Sequence, residues 1–441
     1  MASVMAILQA SSRNPRLGQP TTLHLVTVLS ATVISAAIHD TAQSATPLID
    51  LGTGFYLGQF QGGLYPNGSN SPPPAHADEG VNRAFAIQPL NNLGQPDPHG
   101  KYVFVSIGMS NTTQEFCSQN SFAPCDAWTF MGQAAVDPTV NDTSLMIVNG
   151  AHGGRSAAYW DSPADPDYDR IVTDWLTPNG LSEQQVQAAW VKVANPQPNS
   201  SLPNANSDAY RLVDQMGDIS RALKLRYPNL QQVFFSSRIY AGYATTQLNP
   251  EPYAYESGLA VKWLIEAQID QMNGGGIDSL AGDLDYRSGI APWIAWGPYL
   301  WADGLNPRSD GLTWQQTDFQ NDGTHPSQSG EEKVGAMLLD YMKSSPFTVP
   351  WFQIPVPGDF NNDGAVDAAD YVVWRKNPGG IYTLDDFNIW RASFGNTLGG
   401  GAGGSAAASG ISNSTVPEPV SLMIVIVAWL FVALPTARRK R

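Results

Sequence analysis

Along residues 46–352, short apolar runs alternate with longer stretches in which apolar residues return every three or four positions. Lys101 to Ile107 (KYVFVSI), Ser144 to Val148 (SLMIV), Ala188 to Val193 and Gln232 to Ser236 (QVFFS) are short and apolar on both faces, the pattern of strands covered on two sides. Asp208 to Arg226, Tyr255 to Met272 and Gly330 to Met342 carry apolar residues at helical spacing. This alternation predicts an α/β domain of three layers, a parallel sheet with helices on both faces, whose ligands sit at the carboxyl ends of the strands. Its length, about 300 residues, is within the range of one such domain.

Composition narrows the function. Among 441 residues there are 24 Lys+Arg against 39 Asp+Glu, a net charge of −15, so a nucleic acid would find no basic field to meet. With 42% hydrophobic residues and 13 Trp, the chain has material for a sizeable core and is not disordered as a whole. The cysteine pair, Cys117 and Cys125, is compatible with one short disulfide in an oxidising compartment, or with two buried thiols.

Both ends carry targeting features. Arg13 and Arg16 precede a mostly apolar stretch from Leu23 to Ala37 and the small-residue exit Thr41-Ala42-Gln43-Ser44-Ala45, the layout of a secretory signal over residues 1–45. At the other end, a Gly/Ser-rich linker over 398–415 is too flexible to pack a core. It leads to Val416-Pro417-Glu418-Pro419, an apolar run from Val420 to Leu434, and Arg438-Arg439-Lys440-Arg441. As a helix that run spans roughly 22 Å, with the basic tail on the cytoplasmic side. The tripartite segment 416–441 resembles the PEP-CTERM sorting signal. The resemblance implies a stay in the inner membrane as a transmembrane segment, then processing by exosortase-type machinery and placement in the cell envelope or outside the cell.

Residues 359–370 read D-F-N-N-D-G-A-V-D-A-A-D, placing oxygen donors where a hard cation needs them: Asp359, Asn361, Asp363, the Ala365 carbonyl, Asp367 through water, and Asp370 closing the loop. A second copy stands at an offset of 16, pairing Asp370-Tyr371 with Asp386-Phe387 and Trp374-Arg375 with Trp390-Arg391. It keeps the helix and loses the ligands. Residues 358–397 thus resemble a degenerate dockerin type I module, a small helical unit holding structural calcium. The resemblance raises a cohesin-like partner, with a calcium-stabilised spacer as the alternative.

In the large domain, the rule of strand ends directs attention to two places, and an Asp-His turn before the last helix marks a third. After the first strand comes Gly108-Met109-Ser110-Asn111, where a serine on a tight turn would be exposed at the sheet's end. The second is followed by His152-Gly153-Gly154-Arg155-Ser156 and Trp160, whose glycines let backbone N–H groups approach a substrate oxygen. Before the last helix stands Asp322-Gly323-Thr324-His325, where a carboxylate and an imidazole three apart can both face a serine from elsewhere. Histidine is scarce, six in the chain, which adds weight to His325.

These blocks resemble the SGNH/GDSL hydrolases, and among them the sialate O-acetylesterase-like carbohydrate esterases. That branch has G-Q-S-N, G-G-x-S ending in Trp, and D-x-x-H, in the order found here, with Met109 in place of Gln. It also has W-x-Q-G-E on the third strand, where this chain has Trp190-Val191-Lys192-Val193-Ala194-Asn195. The resemblance implies Ser110 as nucleophile, His325 as base and Asp322 as its orienting carboxylate. Gly154, with Lys192 or Asn195, would form the oxyanion hole, and no cofactor would be needed for catalysis. The expected substrate is an acylated carbohydrate or polysaccharide. The altered third block keeps a second reading open, a non-catalytic envelope protein that binds glycan or matrix. The aromatics from Trp293 to Trp314 would either stack on sugar faces or belong to the core.

Overall fold

The computed structural model describes residues 45–118, 124–361, 364–377 and 382–396. The signal segment up to Ser44, the linker from residue 398, the sorting tail and Asp363 lie outside the described residues. Among the described residues no helix is long and apolar enough to cross a membrane.

Five strands form one sheet: β1 (Tyr102–Gly108), β2 (Leu145–Val148), β3 (Val186–Lys192), β4 (Gln232–Phe235) and β5 (Trp293–Trp296). Their order is β2-β1-β3-β4-β5, and every pair is parallel. The helices that contribute to its two cores include α1 (Pro74–Ala86), α2 (Ser110–Phe116), α3 (Phe130–Val136), α4 (Asp208–Arg226), α5 (Tyr253–Met272) and α6 (Gln328–Ser344). Strand alternation builds these two cores from one sheet. Val103, Val105 and Ile107 of β1 face a core shared with Leu212 and Met216 of α4 and Leu259 and Leu264 of α5. Tyr102 and Phe104 face the other, with Ala84 of α1, Phe116 of α2, Phe130 of α3 and Val334 and Leu338 of α6. The three-layer α/β/α arrangement expected from the sequence is therefore present.

The strand β5 and helix α1 are additions to the sequence reading. The sequence WIAW of β5 lies inside the Trp-rich segment, where aromatic content masks the strand. Trp293, Trp296, Tyr299, Trp301 and Trp314 are all at most 5% exposed, which decides for the core reading over the sugar platform. Their polar groups are satisfied internally, the Trp301 indole on Glu251 at 2.8 Å and the Trp314 indole on the Leu300 carbonyl at 2.9 Å. A ring that stacks on a sugar must show a face to solvent, and these do not.

Cys117 and Cys125 form a disulfide, which decides between the two readings of that pair.

Near the C-terminus, α7 (Ala368–Lys376) and α8 (Leu384–Ser393) are the helices of the two sequence copies. Each opens with a capping box, Asp367 with Asp370 and Thr383 with Asp386. The repeated aromatics meet, Trp374 and Phe387 at 4.7 Å and Tyr371 and Trp390 at 5.2 Å between centroids. Buried Asp370 closes the acidic loop: its carboxylate accepts the N–H groups of Phe360 at 2.7 Å, Asn361 at 3.0 Å and Asp367 at 2.7 Å. Gly364 donates its N–H to Asp359 at 2.9 Å. Among the described residues no group of three or more His, Cys, Asp or Glu is gathered as a metal would require. The donor set of the loop is nevertheless all oxygen, which suits a hard divalent cation.

Candidate active site

In the order 2-1-3-4-5 the chain reverses direction of assembly between β1 and β3, and the crevice outside their carboxyl ends is where such sheets bind ligands. Ser110 follows β1 directly. Gly108 ends the strand at φ +154°, and a Cβ there would stand 2.2 Å from the Lys192 carbonyl and 2.4 Å from Thr112 Oγ1, so only glycine lets β1 turn so closely against β3. Thr112 fastens the turn, accepting the Met109 N–H at 3.3 Å and donating to the Lys192 carbonyl at 2.7 Å. Ser110 is thereby the first residue of α2, its side chain turned to the crevice.

His325 and Asp322 arrive from a distant part of the chain, His325 standing 215 residues after the serine. His325 Nε2 is 2.9 Å from Ser110 Oγ, and His325 Nδ1 is 2.6 Å from Asp322 Oδ2. The other oxygen, Oδ1, accepts the backbone N–H groups of Thr324 and His325, each at 3.0 Å. Partial burial raises the Asp322 carboxyl, but those backbone donors and the ring N–H of His325 outweigh it and hold it below the usual carboxylate range. An ionised Asp322 on Nδ1 fixes the imidazole tautomer with a lone pair on Nε2, facing the serine.

The Asp-His turn is clamped from two sides. Gly323 has φ +64° and a Cβ on it would fall 1.9 Å from the Tyr243 carbonyl. The following segment holds the turn through Thr245, whose N–H donates to the Asp322 carbonyl at 2.9 Å, and through Thr246 and Thr324, whose hydroxyls are 2.8 Å apart. From the nucleophile side, Asn111 donates its amide to the Thr324 carbonyl at 2.9 Å. Asn111 thus ties the serine's helix to the histidine's turn, a positioning role that the sequence leaves unassigned although the residue stands in its first block.

Behind β2, the Gly153-Gly154 loop is pinned to the nucleophile turn by the His152 N–H on the Gly108 carbonyl at 3.0 Å. Asp167 gathers this loop: it pairs with His152 at 2.5 Å, Arg155 at 2.8 Å and Arg170 at 2.9 Å. Gly154 lines the cleft with Ser110 and His325.

Of the two side chains expected to complete the oxyanion hole, the structure brings one to the cleft. Asn195 lines it, three residues past the end of β3. Its amide nitrogen gives one hydrogen to Asp208 at 3.3 Å, leaving the second. Lys192 is a correction. Alternation along β3 puts it on the face of Ala188 and Trp190, covered by α2, where its ammonium donates to both oxygens of Glu115. Both side chains are fully buried and neither lines the cleft, so the lysine is spent on Glu115 and does not complete the oxyanion hole. Burial pushes the Glu115 carboxyl up and the Lys192 ammonium down, to about 8, each opposed by its partner.

The cleft measures about 220 Å³ and is lined also by Arg238, Leu248 and Asn249. Arg238 follows β4, so the strand-end rule reaches it once it is applied to the fourth strand as well as the first two.

No family model and no curated protein matches the chain. Solved structures similar to it include a Bacillus subtilis protein, 14% identical over 56% of this chain and 58% of that one, with a TM-score of 0.29. This chain therefore spans 58% of the length of that protein. A carbohydrate esterase family 2 enzyme with a carbohydrate-binding domain, from Corynascus thermopiles (Myceliophthora fergusii), is 12% identical over 56% of this chain and 68% of that one, at 0.32. An extracellular lipase from Streptomyces rimosus is 14% identical over 55% and 99%, at 0.26.

Proposed function

We propose that the protein is a serine esterase of the SGNH type that removes short acyl groups, O-acetyl foremost, from carbohydrate outside the cytoplasm. The observation that carries this reading is the continuous hydrogen-bonded chain Ser110, His325, Asp322 in a cleft at the sheet's switch point. Ser110 Oγ attacks the ester carbonyl carbon while its proton passes to His325 Nε2. The oxyanion is held by the backbone N–H groups of Ser110 and Gly154 and by the Asn195 amide. As the C–O bond to the sugar breaks, His325 returns the proton to the leaving oxygen, and an acyl group remains on Ser110. Water then adds to the acyl carbon, gives its proton to His325, and the carboxylic acid leaves as Ser110 recovers its hydrogen. Asp322 stabilises the imidazolium in both halves.

A cleft of about 220 Å³ is below the usual range of small-molecule sites, which supports a short acyl group over a lipid chain. The disulfide supports export, in keeping with the signal and sorting segments expected at the two ends. Labelling of the full chain with a fluorophosphonate, mapped by mass spectrometry, is expected to modify Ser110, and to fail in Ser110→Ala and His325→Ala. A folded protein that takes no label would favour the glycan- or matrix-binding reading instead.

For residues 359–370 we propose one structural calcium, held by Asp359, Asn361, Asp363, the Ala365 carbonyl and Asp370, with Asp367 acting through water. Calorimetric titration of the full chain with Ca²⁺ is expected to give a single site that Asp359→Ala removes, and hydrogen exchange over 364–377 should slow when the ion binds. Turnover at Ser110 should be indifferent to chelator. Absence of heat in the wild type would refute the ion.

A further inference from the structure

Arg238 stands out among the residues of the cleft. It is 1% exposed, and neither Nε nor Nη2 has a hydrogen-bond partner. The carboxylates whose charge it feels are Glu115, Glu251 and Asp322, and each is committed elsewhere. Glu115 takes Lys192 on both oxygens. Glu251 takes the Ala241 N–H at 2.9 Å, the Trp301 indole at 2.8 Å and the Tyr255 N–H at 3.0 Å. Asp322 takes His325 and two backbone amides. Asn249 lines the same cleft; it is 2% exposed, and its Oδ1 is without a donor. Its amide nitrogen is held on the Asn195 carbonyl at 3.3 Å.

An enclosed guanidinium with two of its three nitrogens unpaired is costly, and more so than a neutral group. Such a group persists where a ligand completes it. Both residues line the same cleft, and the missing pieces are an anionic acceptor for Arg238 and a hydrogen-bond donor for Asn249. Nε and Nη2 are adjacent on one edge of the planar fork, a geometry that matches the two oxygens of a carboxylate better than the single oxygen of an oxyanion.

We infer that the cleft beside Ser110 holds a carboxylate subsite, in which Arg238 takes an acidic group of the substrate and Asn249 accepts a hydrogen bond from a neighbouring hydroxyl. The inference rests on the esterase reading for the reaction, though not for the binding. The carboxylate belongs either to the sugar, as in an acetylated uronate, or to the acyl chain, as in a hemiester. Arg238 acts on specificity and has no part in the proton transfers. Although the chain as a whole is negative, at contact distance the unmatched guanidinium decides.

The test compares kcat/KM for a mono-O-acetylated methyl glucuronoside against the equally acetylated methyl glucoside, and for p-nitrophenyl hydrogen succinate against p-nitrophenyl acetate. Wild type is expected to favour one acidic member at least tenfold, and which pair shows it identifies where the carboxylate resides. Arg238→Gln should bring the ratio below threefold. Asn249→Asp, which leaves the arginine in place and supplies an internal carboxylate, should do the same. Glucuronate is also titrated calorimetrically into Ser110→Ala, where it should bind at least tenfold tighter than glucose, and into Ser110→Ala/Arg238→Gln, where the difference should vanish. Equal use of acidic and neutral esters together with equal binding of glucuronate and glucose would overturn the subsite, as would a preference that survives both variants. Selective glucuronate binding by a protein that takes no fluorophosphonate would sustain the subsite while the esterase reading fell.

Discussion

Asp322→Asn is expected to lower kcat about 10⁴-fold while KM moves by no more than a few-fold. In the native turn, one oxygen of Asp322 takes the ring N–H of His325 and the other takes two backbone N–H groups. An asparagine can supply only one oxygen. With that oxygen kept by the backbone amides, its NH₂ faces Nδ1, and the ring proton moves to Nε2. The base then presents a hydrogen to Ser110 Oγ where it needs a lone pair. Because the Asp322 carboxyl is held below the usual carboxylate range, Asp322 stays ionised at mildly acid pH and loses its charge only as pH falls through that depressed value. Steady-state kinetics on p-nitrophenyl acetate check the prediction; a loss under tenfold would show that the carboxylate does not set the tautomer.

The second large effect concerns stability. Lys192→Met leaves Glu115 enclosed between α2 and β3 without its partner, and the expected loss is about 3–5 kcal/mol in the free energy of unfolding. Lys192→Met combined with Glu115→Leu removes both charges and should recover most of it, because replacing a buried pair by apolar groups of similar size is often neutral. Urea midpoints of the three proteins measure this. If the single variant lost less than about 1 kcal/mol, the pair would have to sit in the fold already neutralised by proton transfer.

How far the sequence foretells this molecule depends on the kind of signal each part leaves. The sheet's first four strands and α4, α5 and α6 are legible because burial on two faces and helical spacing leave separate traces in the sequence. β5 leaves none, since a strand of four residues inside a Trp-rich stretch has no period to detect. Ser110, Asp322 and His325 are legible because strand ends and the spacing of Asp322 and His325 are local signals. Lys192 is misplaced when it is matched to a family block instead of to its own strand. Counted from Trp190, itself buried, alternation already sends Lys192 to the same covered face. Arg238 is within reach of the strand-end rule as a cleft residue, but its unpaired nitrogens and the unpaired Oδ1 of Asn249 are not, because a missing hydrogen-bond partner is a property of the packed molecule and no residue type announces it.

The segment between β4 and α5 touches both the base and the wall of the cleft. Thr245 and Thr246 grip the Asp-His turn, and two and three residues further on Leu248 and Asn249 line the cleft. The Leu248 N–H is itself bonded to Thr246 Oγ1 at 3.2 Å. A single short strap therefore both walls the cleft and aims the base. Substitutions made there to admit a bulkier ester will displace the imidazole along with the wall, so affinity and turnover will change together. The Gly153-Gly154 loop is anchored on Asp167 through His152, Arg155 and Arg170, apart from His325, so substitutions around it that spare Gly154 leave the base where it is.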